Sequence, residues 1–203
     1  IDFQKFCQNK SLGISYRKNY SIKKNDFLIG IVGRYDPNKG IDCFLKAIKE
    51  TKKTISQVKF IMCGTEMDNK NKELIEKLKS YNLMRDSILI GEQENMPAIY
   101  NMIDLLICSS LSESFGLVAI EALACRTNIL GSDIPAFRKL IKKGNLIQKN
   151  NYKLFAKKII FYYRNHMQGI FIPGAEKMNL NFERYDIKNT IDSYYEVYKK
   201  NFV

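Results

Sequence analysis

From Phe27 onward the apolar positions of the chain follow two alternating rhythms. Short unbroken runs, FLIGIVG (27–33), VKFIMCG (58–64), SILIG (87–91), DLLICSS (104–110) and NILGS (128–132), are aliphatic or β-branched and mostly close on Gly or Ser. A strand buried on both faces reads this way, because it has no solvent side to mark with alternating polar residues. Between the runs lie amphipathic stretches: GIDCFLKAIKETKK (40–53), NKELIEKLKSYN (71–82), MPAIYNM (96–102) and FGLVAIEALAC (115–125). In the first of these, Phe44, Leu45, Ile48 and Thr51 fall at helical spacing. Strand–helix repeats of this length predict right-handed crossovers and an α/β, Rossmann-like, doubly wound parallel sheet.

Beyond the runs the pattern changes. NYKLFAKKIIFYYRNH (151–166) reads as a basic amphipathic helix, IFIPG (170–174) as a break, and ERYDIKNTIDSYYEVYKK (183–200) as a final long helix with a Tyr and Ile stripe. The first 25 residues are polar and lysine-rich and read as linker-like. The expected organisation is one domain over 1–203: a linker-like 1–25, a Rossmann-like core over 26–165, and a C-terminal helical return over 166–203.

Composition narrows the class. Of 203 residues, 45% are hydrophobic and 27% charged, which excludes wholesale disorder and suffices for a sizeable core. No apolar run approaches the roughly 20 residues of a membrane span, and IDFQKFCQNK has no signal-peptide core, so a soluble, cytoplasmic chain is expected. Five widely spaced cysteines without a C-x-x-C pair fit a reducing compartment. The single histidine, His166, excludes a histidine-rich metal site and is expected to be structural. The net charge is +12, and nine basic residues without one acid lie between Ile134 and Ala175. Such blocks suit nucleic acid, anionic membrane or phosphate-bearing ligands.

Ligands of doubly wound sheets bind beyond the carboxyl ends of the strands. After the first run stands Gly33-Arg34-Tyr35-Asp36-Pro37-Asn38-Lys39-Gly40, which is neither a G-x-G-x-x-G nor a G-x-x-x-x-G-K-[ST] loop. It puts two cations, Arg34 and Lys39, between a strand end and a helix start. After the fourth run comes Leu111-Ser112-Glu113-Ser114-Phe115-Gly116-Leu117-Val118-Ala119-Ile120-Glu121. Here Ser112 or Ser114 is expected to cap the next helix, and its free first-turn amides form an anion site. Glu113 and Glu121 sit roughly on one face, and an ionised carboxylate accepts from a sugar diol.

These two segments together resemble the C-terminal, nucleotide-sugar-binding half of a GT-B glycosyltransferase, most like the retaining glycosyltransferase family 4, from about Ile31 to Leu140. The resemblance implies that Arg34 and Lys39 contact the donor diphosphate and that Glu113 faces the donor sugar. It implies that Glu121 takes the ribose hydroxyls, and that Ser114, Phe115, Gly116 and Leu117 face phosphate or sugar. Gly33, Gly64 and Gly91, which close the first three runs, match positions lining the cleft. Arg34, Lys39 and Glu113 are thus the expected catalytic positions. No Asp-x-Asp occurs, so no metal or other cofactor is expected. The chain departs from the family at Gly64-Thr65-Glu66, where Gly-x-Gly is common. It departs again at Cys125-Arg126-Thr127-Asn128, which lacks the usual Gly stop and Pro, and at Lys139, where a glutamate is usual.

The implied function is donor binding for transfer of a hexose-type sugar from a nucleoside diphosphate to a surface-glycan or lipid-linked acceptor. Such enzymes use a second, N-terminal acceptor domain that this chain does not supply, so the chain alone is expected to be inactive. An anionic membrane surface is a further expected partner, held peripherally by the basic stretch. Two other readings stay open: a non-catalytic basic anion- or nucleic-acid-binding module, and a GT-B sugar-nucleotide epimerase. Carboxylates at Glu113 and Glu121 would repel a polyanion, so no nucleic acid is expected.

Overall fold

In a computed structural model, described for all residues except Lys24, Gln57, 171–184 and Val203, the five apolar runs are five parallel strands. They are β1 (Leu28–Val32), β2 (Lys59–Cys63), β3 (Ser87–Gly91), β4 (Leu105–Cys108) and β5 (Asn128–Ser132), joined by a two-residue edge strand, β6 (Leu146–Ile147). The spatial order is β3-β2-β1-β4-β5-β6. The chain winds outward from β1 to β3, then returns to β4 on the other side of β1. That reversal makes β1/β4 the switch point of the sheet.

Successive strand residues point to opposite faces, and both faces are covered. Ile29, Ile31, Phe60, Met62, Leu105, Ile107 and Leu130 join the core beneath α2 (Ile41–Lys52), α3 (Lys72–Ser80) and α7 (Tyr152–Met167). Leu28, Ile61, Cys63, Leu106, Cys108 and Ile129 join the core beneath α4 (Met96–Met102), α5 (Leu117–Ala124) and the one-turn α6 (Pro135–Arg138). Unbroken apolar strands are what this two-sided burial requires. Four cysteines, Cys43, Cys63, Cys108 and Cys125, are buried in these layers, whereas Cys7 is exposed. Burial pushes the Cys43 thiol up to about 11 and the other three buried thiols to about 12.

The N-terminal segment differs from expectation. Rather than a linker, it contains α1 (Lys10–Asn19), capped by the Asn9 side chain on the Leu12 N–H and packed against α4. Its Arg17 is buried and donates to the carbonyls of Met102 (2.8 Å) and Asp26 (3.1 Å) and to the Asp104 carboxylate. Asp104 in turn accepts from the Leu28 N–H at 2.7 Å, so one ion pair ties the starts of β1 and β4 to α1.

The basic amphipathic stretch forms α7, capped by Asn151, with Phe155, Ala156, Ile159 and Tyr162 buried. The final helix is α8 (Ile187–Phe202), which leaves Ile191, Tyr194, Tyr195, Val197 and Tyr198 exposed. Most of the expected IFIPG break lies outside the described residues. After α5 the chain turns with Arg126 at φ 59°, the left-handed position at which the resemblance expects glycine.

Candidate functional site

The carboxyl ends of β1, β2 and β3 are stitched by backbone hydrogen bonds: Gly33 N–H to Cys63 O (2.9 Å), Gly64 N–H to Gly91 O (2.8 Å) and Gly91 N–H to Met67 O (3.0 Å). Gly64 has φ 134°, and a Cβ there would lie 2.0 Å from the Gly33 carbonyl oxygen, so no side chain fits. The result is a flat floor. Above it a cleft of about 550 Å³ is lined by Gly33, Arg34, Gly64, Thr65, Glu92 and Gln93, among others. Arg34 stands at its rim, 72% exposed, with its guanidinium 3.4 Å from the Asp36 carboxylate. Glu92, which accepts from the Thr65 hydroxyl, was not anticipated; its place directly after the Gly91 strand end was the available signal.

At the switch point the loops after β1 and β4 are locked together. Asp36 caps a 3₁₀ turn over Pro37–Lys39 by accepting from the Asn38 N–H (2.8 Å). The turn ends on Gly40 at φ 65°, where a Cβ would stand 2.1 Å from Ser109 O. The Ser109 hydroxyl lies 3.0 Å from both the Lys39 and Gly40 carbonyls, and the Leu111 N–H donates to Asn38 O at 2.7 Å. These contacts bring Lys39 Nζ to 2.6 Å from Glu113 Oε1, an oxygen that also accepts from the Ser110 hydroxyl at 2.8 Å. The pair is largely buried, with 21% and 17% of the two side chains exposed. An ammonium has three donors and a carboxylate about four acceptor sites, so each partner keeps unused capacity. The arrangement can therefore hold an anion and a hydroxyl-bearing group side by side.

No serine caps α5. Its N-cap is Gly116 in the left-handed conformation (φ 78°), without a side-chain hydrogen bond, which corrects the expectation for Ser112 and Ser114. Among the described residues, the N–H groups of Phe115, Gly116 and Leu117 donate to no protein acceptor. They stand at the positive end of an eight-residue helix, where an anion is favoured. Ser114 is exposed on the same turn, as are Phe115 and Leu117, and the Phe115 ring meets Tyr185 edge-on at 5.7 Å.

Glu121, about one turn into α5, accepts a 2.6 Å hydrogen bond from the hydroxyl of the fully buried Tyr100 on α4. Burial raises the Glu121 pKa above its usual value, and the Tyr100 hydrogen bond works against that rise. The Tyr100 phenol is in turn pushed well above its usual value, by burial first and by the Glu121 charge second. In the sequence Tyr100 shows only as part of a helix; no local signal pairs it with a residue 21 positions on. Among the described residues no group of three His, Cys, Asp or Glu side chains could hold a metal ion. His166 lies at the other end of the sheet, edge-on to Phe27 at 5.2 Å.

A doubly wound parallel sheet in this order is the fold of the α/β domains of GT-B glycosyltransferases. The solved structures agree. The chain superposes on HepE of Anabaena, determined with UDP and glucose, at a TM-score of 0.77 and 18% identity, covering 100% of this chain and 55% of that one. It superposes on the C-terminal domain of the group 1 glycosyl transferase LpcC from Francisella tularensis at 0.73 and 26% identity, covering 92% and 99%. Residues 14–179 match the family model described as glycosyl transferases group 1, and the chain belongs to that family. A curated relative, the lipopolysaccharide core biosynthesis mannosyltransferase LpsB of Rhizobium meliloti, is 26% identical over 146 residues, or 70% of this chain. The chain spans only 39% of that relative's length.

Proposed function

We propose that this chain is the donor-binding half of a retaining, metal-independent hexosyltransferase acting in surface-glycan synthesis. The observation that carries the reading is the Lys39–Glu113 pair at the β1/β4 switch point, 2.6 Å apart, beside the unengaged amides of Phe115–Leu117. A sugar nucleotide presents that same juxtaposition, an anionic diphosphate next to a polyhydroxyl ring. In this reading Lys39, Arg34 and the α5 amides take the diphosphate. Their charge, already in place, stabilises the leaving group as the glycosidic bond breaks and positive character develops on the sugar. Glu113, steadied by Ser110 and Lys39, accepts hydroxyls of the sugar. Glu121 accepts from the ribose with the capacity that the Tyr100 hydroxyl leaves free, while the nucleoside lies in the cleft over Gly33 and Gly64; Gly91, expected to line it, is buried and does not.

The acceptor in this reading is held by a second domain. Two facts support that part: the chain spans 55% of the HepE chain, and α8 leaves a row of large apolar side chains uncovered. The enzyme is placed in the cytoplasm, peripheral to the membrane that carries a lipid-linked acceptor; the basic, acid-free stretch over 134–175 supports the placement. Glu113 and Glu121 at the anion site weigh against a nucleic-acid module.

Calorimetric titration of UDP, GDP and ADP, and of their hexose conjugates, onto this chain tests the reading. One nucleotide family is expected to bind, with affinity unchanged by EDTA. No binding by any of them, or binding only with added magnesium or manganese, overturns it.

A further inference from the structure

We propose that the outward row of α7, formed by Lys153, Lys157, Phe161 and Arg164, is a contact surface for an anionic phospholipid bilayer. The inference stands on this surface alone and does not depend on the donor reading. The four residues follow one another at intervals of four, four and three. At 100° per residue they fall within an arc of about 80° and a length of about 16 Å. All four are exposed, and the opposite side of the helix is the buried Phe155, Ala156, Ile159 and Tyr162. The row is therefore straight, convex and outward-facing.

Its charge is unbalanced in a way that its neighbour's is not. On α2, against which α7 packs, Lys46 lies 2.7 Å from Asp42 and Lys53 lies 2.6 Å from Glu50. Among the described residues, Lys153, Lys157 and Arg164 have no acidic partner. No acid occurs anywhere in 134–175. Phe161 sits between these cations with 51% of its surface exposed, and Met167 and Ile170 continue the apolar exposure beyond it. Cations flanking an exposed ring match the headgroup boundary, where lysine stems lie along apolar surface while the ammonium meets lipid phosphate. A convex row gives a single nucleic-acid strand no groove to follow, but it can lie on a flat sheet of charge.

Attraction of this kind fades within a Debye length, about 8 Å at physiological salt, so contact is reversible and salt-sensitive rather than insertive. This agrees with the absence, among the described residues, of any helix long and apolar enough to cross a membrane.

Co-sedimentation of this chain with vesicles decides the matter. Binding is expected to vesicles mixing phosphatidylcholine with phosphatidylserine, to weaken as salt rises, and to be absent with phosphatidylcholine alone. Replacing Lys153, Lys157 and Arg164 by glutamine lowers the partition coefficient on the order of 100-fold. Phe161→Ser lowers it by a smaller factor. The charge-matched triple K70Q/K72Q/K79Q, at exposed positions around α3, leaves it unchanged. The single charge reversal Lys157→Glu gives an independent reading if the α7 triple variant melts early. Equal sedimentation with neutral vesicles overturns the proposal. So does an equal loss in the α3 variant, or retention of a single-stranded oligonucleotide but not of anionic vesicles.

Discussion

The two ends of the sheet each hold a buried ion pair that joins β1 to β4, and the pairs differ in how fully they are used. At the amino end, Arg17 gives its guanidinium to the carbonyls of Met102, Asp26 and Lys23 and to Asp104, while Asp104 also accepts from the Leu28 amide. Every strong group there has a protein partner. At the carboxyl end, among the described residues, Lys39 pairs with Glu113 alone, Glu113 receives one more bond from Ser110, and the neighbouring α5 amides have none. A charge taken from water must be repaid by hydrogen bonds. The amino-end pair is repaid by the fold itself, and the carboxyl-end pair leaves donors and acceptors unused, which in the proposed function a ligand takes up. Burial alone does not separate a structural pair from a binding pair; the remaining hydrogen-bonding capacity does.

That contrast can be broken by substitution. The largest effect is expected from Arg17→Met, which strands Asp104 and the carbonyls that Arg17 binds: a loss of about 3–5 kcal/mol of stability in urea denaturation, with nucleotide affinity unchanged in the folded fraction. A loss below about 1 kcal/mol would remove the distinction between the two ends.

Lys39→Met should do the reverse. It is expected to leave the urea midpoint nearly in place, since Ser110 still holds Glu113, and to weaken nucleoside diphosphate binding by about 1.5–3 kcal/mol in calorimetry. Equal damage to stability and affinity would make Lys39 a second Arg17.

The two glutamates sharpen the comparison further. Glu121→Gln should weaken nucleoside diphosphate and sugar nucleotide alike, whereas Glu113→Gln spares the bare diphosphate. Because burial holds the Glu121 pKa above its usual value, the folded chain binds that proton more tightly than the unfolded chain does. Ionised Glu121 therefore costs stability, a cost absent at low pH that grows as pH rises through the folded value. Nucleotide affinity moves oppositely, falling as pH drops through the same value. Tyr100→Phe removes the bond that opposes the rise, and should shift the acid limb of the affinity profile to higher pH.

The smallest effect belongs to Arg126→Gly, which relieves a left-handed residue and should stabilise the chain by about 1 kcal/mol without touching affinity.

Much of this architecture is legible in the sequence because two-sided burial leaves a mark. The strands β1 to β5 are apolar at most inward positions, with Ser132 at the end of β5 a buried polar exception, so each appears as a nearly unbroken run. β6 carries only Leu146 and Ile147, too few to show a pattern. α1 hides for a different reason. Its sequence KSLGISYRKN places a glycine mid-helix and a cation in the core. Both make sense only in three dimensions: a Cβ at Gly13 would stand 2.2 Å from Asn101 O, and Arg17 finds its partners beyond the helix. The site divides in the same way. Lys39 and Glu113 can be picked out from their places after strand ends. That they touch, across 74 residues of chain, follows from the strand order, which no local pattern encodes. Tyr100 and Ser110 are partners supplied by that order.

The placement of the thiols has a practical consequence. A maleimide reacts with thiolate, and burial holds Cys43, Cys63, Cys108 and Cys125 at about 11 to 12, almost wholly protonated near neutrality. Cys7 alone is exposed. The native chain thus offers one attachment point for a dye or a spin label, seven residues into the sequence and next to Phe6, whose ring lies 6.2 Å from that of Tyr100. Four further thiols become available only as the two layers over the sheet come apart. Counting adducts by mass spectrometry at rising urea would read the opening of the core layers without any engineered probe.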